Sequence, residues 1–328
     1  MYDQVAASES SQASIFDDVG RPMCESVLEG YNATIFAYGQ TGAGKTFTMM
    51  GVDGGGVDDQ DSRGLVQRVF DYLFQRIEAM HCQASGDKVE VKCKCSYLEI
   101  YNEQVTDLLS EGAIPILIRD DPKKGGIVVD GATHTPVKTT SDTLAALNMG
   151  QQNRRVAATC MNKESSRSHC VFTLYLETSR TSDGVTTRCF SRFNMIDLAG
   201  SERQKQTQAT GDRLKEANNI NRSLSALGNV IMSLASNNGH VPYRDSKLTF
   251  MLKDSIGGNS KTCIIACCSP AEMCYDETQS TLKFVRFAKL VKNVATINSQ
   301  HSEGDMDAMV CCLFPFSPPT DSRPVSKV

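Results

Sequence analysis

The chain has 328 residues, 40% of them hydrophobic and 22% charged, a balance that suits a globular protein with its own core and excludes a disordered or fibrous one. Its formal charge of -4 excludes a global pull toward acidic partners, so any grip on an acidic surface has to come from local basic patches. No run approaches the roughly 18 apolar residues that a membrane span needs, and Met1-Tyr2-Asp3-Gln4 has no basic or apolar leader, so neither membrane insertion nor secretion is expected.

The apolar run Ala33 to Tyr38 predicts a buried strand, and Gly39, Gln40, Thr41, Gly42, Ala43, Gly44, Lys45 and Thr46 follow it as a complete GxxxxGK[ST]. Glycines at that spacing let successive backbone N–H groups turn onto phosphate oxygens, while Lys45 reaches the β- and γ-phosphates and the Thr46 hydroxyl is suited to Mg²⁺. Phe47 to Met50 predicts the first turns of a helix, which the Gly- and Asp-rich stretch from Val52 to Gly64 interrupts. Leu65, Val69, Leu73, Ile77 and Met80 then mark an amphipathic helix ending near His81.

Val89 to Tyr101, Cys170 to Thr178 and Phe193 to Ile196 read as strands, with a helix over Ser141 to Val156 capped by Ser141. Ile220, Leu224, Leu227, Ile231 and Leu234 fall on one stripe of a long helix that Asn237-Asn238-Gly239 stops. That stripe covers about two heptads, too few for a coiled coil, so the helix is expected to lie against a sheet. Lys261 to Ser269 predicts a short buried strand and Asp276 to Asn293 a final helix, and beyond Asn298 a Ser-, Pro- and Cys-containing tail without periodicity reads as disordered. Thirteen cysteines without CxxC or His partners at metal-like spacing read as reduced thiols of a cytosolic protein.

The alternation predicts an α/β fold of three αβα layers around a central, mostly parallel (mixed) sheet, with nucleotide at the carboxyl ends of the strands. Two further segments bear on the γ-phosphate. Asn162 to His169 supplies clustered hydroxyls and Arg167, and Asp197-Leu198-Ala199-Gly200-Ser201-Glu202 leaves an apolar strand with an acid placed to hold a Mg²⁺-bound water. Donors of this kind engage a γ-phosphate and release when it leaves.

These motifs resemble the kinesin motor domain, whose switch I reads NxxSSRSH and switch II DLAGSE. Tyr38 to Thr48, Tyr97 to Glu103 and Val241 to Thr249 match further family motifs, and Arg213 to Ala217 with HVPYRDSKLTF looks most like the twelfth kinesin family. The resemblance implies a microtubule-based ATPase using ATP and Mg²⁺, acting on cytoplasmic microtubules and the spindle. It implies that Ser165 and Ser168 bind nucleotide, that Ser166 and Gly200 serve the γ-phosphate, and that Arg167 pairs with Glu202 to order the attacking water. Thr46, Ser166 and Asp197 would hold Mg²⁺. Lys205, Arg213, Arg244, Lys247 and Lys253 would face acidic tubulin, and Phe250 stands where many relatives carry Arg. Val291 to Asn298 resembles a neck linker closing a motor domain over 1–298, and its C-terminal place suggests plus-end-directed movement.

The family pattern also places a core strand with an adenine-stacking segment ahead of what Met1 to Val5 matches, so an unpaired sheet edge is expected here. The alternative expectation is therefore a catalytically impaired microtubule-binding fragment. A GTPase-like switch is ranked below both, because the chain has no NKxD. Nucleic acid is not an expected partner, and 299–328 has no heptads to support a dimer.

Overall fold

The computed structural model describes residues 2–52, 60–83, 88–110, 116–121, 126–161, 165–182, 185–202, 212–236 and 239–301, with side chains placed for all of these except 60, 83, 157–161, 165, 212–221 and 301. In chain order the helices are α1 (Gln12–Ile15), α2 (Arg21–Leu28), α3 (Lys45–Met50), α4 (Leu65–Gln83), α5 (Thr140–Met161), α6 (Asp212–Ala235), α7 (Lys247–Met251) and α8 (Tyr275–Ala288). The strands are β1 (Ala33–Tyr38), β2 (Lys88–Tyr101), β3 (Gln104–Asp107), β4 (Leu117–Asp121), β5 (Gly126–Asp130), β6 (Thr135–Val137), β7 (His169–Ser182), β8 (Val185–Asp197), β9 (Lys261–Ala266) and β10 (Ser299–His301).

The main sheet runs β3-β2-β7-β8-β1-β9, with β6 on β2 and β10 on β8. It is mixed, as expected, but antiparallel pairing prevails: β1 is parallel to β8 and β9, whereas β2, β3, β6, β7, β8 and β10 pair antiparallel. The expectation of a mostly parallel sheet is corrected on this point. The reason is local connectivity, since β7 and β8 are joined across residues 183–184 and pair back from Ser182↔Val185 to Cys170↔Asp197.

All six residues of β1 are buried, as a strand covered on both faces requires. The two-residue alternation divides them. Ala33, Ile35 and Ala37 join Leu65, Val69 and Leu73 of α4, Leu147 of α5 and Phe172 of β7 in one cluster. Phe36 and Tyr38 face the other way, toward Leu224, Leu227 and Ile231 of α6, Leu248 of α7 and Ala288 of α8. Helices therefore cover both faces, and Leu224, Leu227, Ile231 and Leu234 of the predicted α6 stripe lie on the side it buries, while the Ile220 side chain lies outside the described residues.

Helix ends depart from expectation where side chains make better caps. The first turn of α5 is capped by Thr139, whose Oγ1 accepts the Asp142 N–H at 3.1 Å, while Asp142 Oδ2 accepts the N–H groups of Lys138 at 2.9 Å and Thr139 at 3.0 Å. Ser141 therefore lies inside the helix. The last helix stops at Ala288 rather than Asn293, because Asn293 is held elsewhere: its Oδ1 accepts the Gly257 N–H at 2.7 Å and its Nδ2 donates to the carbonyls of Ser255 at 2.8 Å and Ser260 at 2.7 Å.

Beyond α8 the chain is extended and bonded to the body. The Val294 N–H donates to Gly258 at 3.0 Å, that of Thr296 to Asn259 Oδ1 at 2.7 Å and that of Asn298 to Gly30 at 3.1 Å, while the Asn298 carbonyl accepts from Phe190 at 2.8 Å. Residues 299–301, expected in the disordered tail, pair with Thr187 to Cys189 of β8, and 302–328 lie outside the described residues.

The expected open edge is found at β9, which has no strand on its outer side among the described residues. A cavity of about 940 Å³ lies there, between β9 and the extended Tyr2 to Ala6, with Leu282, Val285 and Ala288 of α8 on its wall. Tyr2 donates to the Leu282 carbonyl at 3.2 Å and Lys289 pairs with Asp3 at 2.9 Å, which fixes the N-terminal segment across that gap.

Candidate functional site: the phosphate loop and its two switches

β1 ends where the phosphate loop begins. Gly39 has φ 151°, and a Cβ there would collide with the Cys267 carbonyl, whose own N–H donates to Tyr38 at 2.8 Å. Close backbone packing between the ends of β1 and β9 thus demands glycine at this position. Gly44 adopts φ 98° and turns the chain into α3, which starts at Lys45. Lys45 is buried and its Nζ donates to the Gln40 carbonyl at 2.9 Å, and burial lowers its pKa despite the nearby Asp197 and Glu202.

Asp197 ends β8 beside the loop. Thr46 Oγ1 donates to its Oδ2 at 2.7 Å, whereas its Oδ1 is buried with no hydrogen-bond partner. Burial raises its pKa, opposed by the Thr46 hydrogen bond and by Arg154 and Lys45. A buried carboxylate oxygen left unmatched beside a threonine hydroxyl is the donor set a hard divalent cation takes, directly or through a water. The residues present fit Mg²⁺.

The two switch segments are laced together and to the loop. The Gly200 N–H donates to the Ser166 carbonyl at 2.9 Å, and the Ser201 N–H to the Gly39 carbonyl at 3.0 Å. Glu202 accepts from Thr41 twice, from its N–H at 2.8 Å and from its Oγ1 at 2.5 Å. Glu202, expected to pair with Arg167, is bonded here to Thr41 of the phosphate loop. A Cβ on Gly200 would strike the Glu202 carboxylate and the Thr41 hydroxyl, so a side chain there would push the Thr41–Glu202 contact aside.

Ser168 is buried and its Oγ accepts from Arg154 Nη2 at 2.9 Å, with Arg154 Nε on Glu99 at 3.2 Å. Ser165 and Arg167 sit in a short 3-10 turn just before β7. Arg154 was not singled out from the sequence. The available signal was its place on the α5 pattern shortly before the hydroxyl cluster, but its direction toward Ser168 depends on how α5 packs across β2.

Of the cations expected at the acidic partner, Arg244 and Lys247 are exposed on neighbouring short helices, and the Arg244 guanidinium lies 5.6 Å from the Phe250 ring. Phe250 thus supports a neighbouring cation by its ring face. Lys253 is committed to an ion pair with Asp120 of β4. Lys205 and the Arg213 side chain lie outside the described residues.

The sequence model of the kinesin motor domain matches residues 1–294. The chain belongs to the kinesin motor family. It is 52% identical over 313 residues to the kinesin-like protein KIN-12E of Arabidopsis thaliana, covering 94% of this chain and 25% of that protein. It is 50% identical over 302 residues to the kinesin-like protein KIF15 of Strongylocentrotus purpuratus, covering 90% of this chain and 20% of that one. These relatives agree with the resemblance to the twelfth family, and this kinesin chain spans a quarter or less of their lengths. A solved fast kinesin, described for its ATPase mechanism and interactions with microtubules, superposes with TM-score 0.83 at 40% identity, over 93% of this chain and 83% of that one. Among the described residues of this kinesin no helix is long and apolar enough to cross a membrane.

Proposed function

We propose that this chain is a motor unit that hydrolyses ATP to ADP and phosphate and binds microtubules in the cytoplasm, with hydrolysis stimulated by the polymer. The reading rests most on one observation: a phosphate loop, an acid with an unmatched oxygen and two switch segments bonded to one another through Gly200 and Ser166. Gly39 to Thr46 would cradle the phosphates, with Lys45 opposing their charge. Thr46, Ser166 and Asp197 would hold Mg²⁺, which when bound neutralises charge on the β- and γ-phosphates. Ser165 and Ser168 would line the nucleotide, and Arg167 with Glu202 would close over it and orient water. Hydrolysis then needs positioning and charge stabilisation rather than a covalent intermediate.

Arg244 and Lys247, joined by Lys205 and Arg213, would meet acidic tubulin. Lys253 would contribute only by releasing Asp120. Residues 1–298 act as the motor domain with 291–298 as its neck linker. That role is supported by the backbone bonds from Val294 and Asn298 to the body, and the linker's place after α8 favours plus-end-directed movement. Spindle microtubules are the proposed track.

A second reading, a microtubule-binding unit with impaired catalysis, is favoured by the open β9 edge, because β9 leads directly to Cys267, on which Gly39 rests. ATP turnover with and without microtubules separates the two. Stimulation that disappears in Glu202→Ala supports the motor. Microtubule binding that ignores nucleotide, with no turnover, selects the second reading. Gliding of polarity-marked microtubules tests direction, and movement toward the minus end would overturn it.

A further inference from the structure

His169 opens β7 just after the switch I hydroxyls and is buried, 2% exposed. Its ring touches two other elements. Nδ1 accepts the Ala199 N–H at 2.9 Å, in the loop that carries Gly200 and Glu202. Nε2 lies 2.8 Å from the Ser223 hydroxyl on α6, itself buried. An amide N–H can only donate, so Nδ1 must be the acceptor, and in the neutral ring the proton sits on Nε2 and is donated to Ser223. Burial, reinforced by the positive charges of Arg154 and Lys45, pushes the His169 pKa down to about 3, so this tautomer is not disturbed by protonation near neutral pH.

The consequence is mechanical. Ala199 and Gly200 each bond to the switch I side, through His169 Nδ1 and the Ser166 carbonyl, so a displacement of the 198–202 loop moves the imidazole environment as well. The far edge of the same ring holds α6 by a directed bond in a dry contact, where a mispaired donor is costly. Apolar neighbours such as Leu224 and Leu227 hold the helix against the sheet but tolerate sliding, whereas this bond has one geometry. We infer that His169 is a positioning residue, and that its hydrogen bond to Ser223 ties the placement of α6 to the state of the nucleotide loops. The inference rests on the motor reading for what α6 then does, but its structural half stands on the contacts alone.

The test uses the whole chain with Ser223→Ala, Ser223→Thr and His169→Asn. Asn retains a short acceptor for Ala199 and gives up the reach to Ser223. The first readout is the ratio of microtubule Kd in ADP to that in a non-hydrolysable ATP analogue. Ser223→Ala and His169→Asn are expected to reduce this ratio by about fivefold or more, within the range of ordinary coupling, with Ser223→Thr restoring it. Basal ATP turnover of Ser223→Ala is expected to stay at the wild-type level. The second readout is amide exchange of residues 223–227 in the two nucleotides without microtubules, where a nucleotide-dependent difference should vanish in Ser223→Ala.

A Ser223→Ala protein that is merely less stable, with both readouts as in wild type, would overturn the relay and leave the pair a satisfied core contact. A wild-type ratio of one with nucleotide-dependent exchange in α6 would overturn the motor reading and keep the relay. A wild-type α6 whose exchange ignores nucleotide would overturn the relay whatever the polymer does.

Discussion

The two strands of the β1–β9 pair are in opposite situations. On the β8 side, β1 has a partner strand, two helical layers and a phosphate loop bonded to both switches, and its residues are all buried. On the far side, β9 has the same parallel pairing to β1 but no strand beyond it among the described residues, and every residue of it is partly exposed beside a cavity. The difference teaches that the chemistry is mounted on the best-supported strand, while its neighbour, which props up Gly39 through Cys267, is held from one side only. Local stability should follow this division, with the chain least protected where the sheet ends.

The sharpest way to break the comparison is at the core. Phe36 is fully buried on β1, and Phe36→Ala is expected to cost about 3–5 kcal/mol, read as a shift in denaturant midpoint. A small loss would mean that β1 is no better supported than the edge. Next, Lys45→Ala should lower microtubule-stimulated turnover about 100-fold or more while leaving the fold near wild type, a separation of chemistry from stability that a turnover assay beside a thermal melt would show.

Acid should find the buried histidine. The folded-state pKa of His169, about 3, lies below the ordinary value of 6.5, so the unfolded chain takes up the proton first. Stability should be complete above about pH 6.5 and fall as pH drops, by about 1.4 kcal/mol per unit. Between pH 6.5 and 5 this amounts to about 2 kcal/mol, measurable as the pH dependence of the urea midpoint. His169→Asn should flatten that slope, and an unchanged slope would assign it to other groups.

The smallest effect belongs to the edge. Leu282 borders the cavity and is 38% exposed, so Leu282→Ala should cost under about 1 kcal/mol. A loss as large as that of Phe36→Ala would show that the edge is as tightly held as the centre and would erase the contrast.

Much of the site was legible because it is local. The phosphate loop, the acid at the end of β8 and the hydroxyl cluster each lie within one short stretch whose spacing is dictated by phosphate geometry. Arg154 and Ser223 were not legible, because their value lies in contacts with Ser168 and His169, which are distant along the chain or face inward by packing alone. Lys253 reads as a free cation in sequence and is spent on Asp120, for the same reason. The helix limits at Thr139 and Ala288 were missed where a side chain had a stronger use elsewhere, as Asn293 shows with its bonds to Gly257, Ser255 and Ser260.

What the sequence by itself determined is the principal elements and the chemistry mounted on them: β1 into the phosphate loop, the apolar stripe of α6, the switch motifs and the family they belong to, while α1, α2, β3 to β6, α7 and β10 were not marked by it. Those follow from periodicity and fixed spacing, which the chain carries within a few residues. Only the tertiary structure decided that antiparallel pairs outnumber parallel ones, that Glu202 reaches Thr41, that 291–298 is bonded along the body, and that one imidazole bridges both switches to α6. Apart from the β7–β8 hairpin, these join residues far apart in the chain, and which donors and acceptors meet is settled by the need to pair every polar group that packing removes from water.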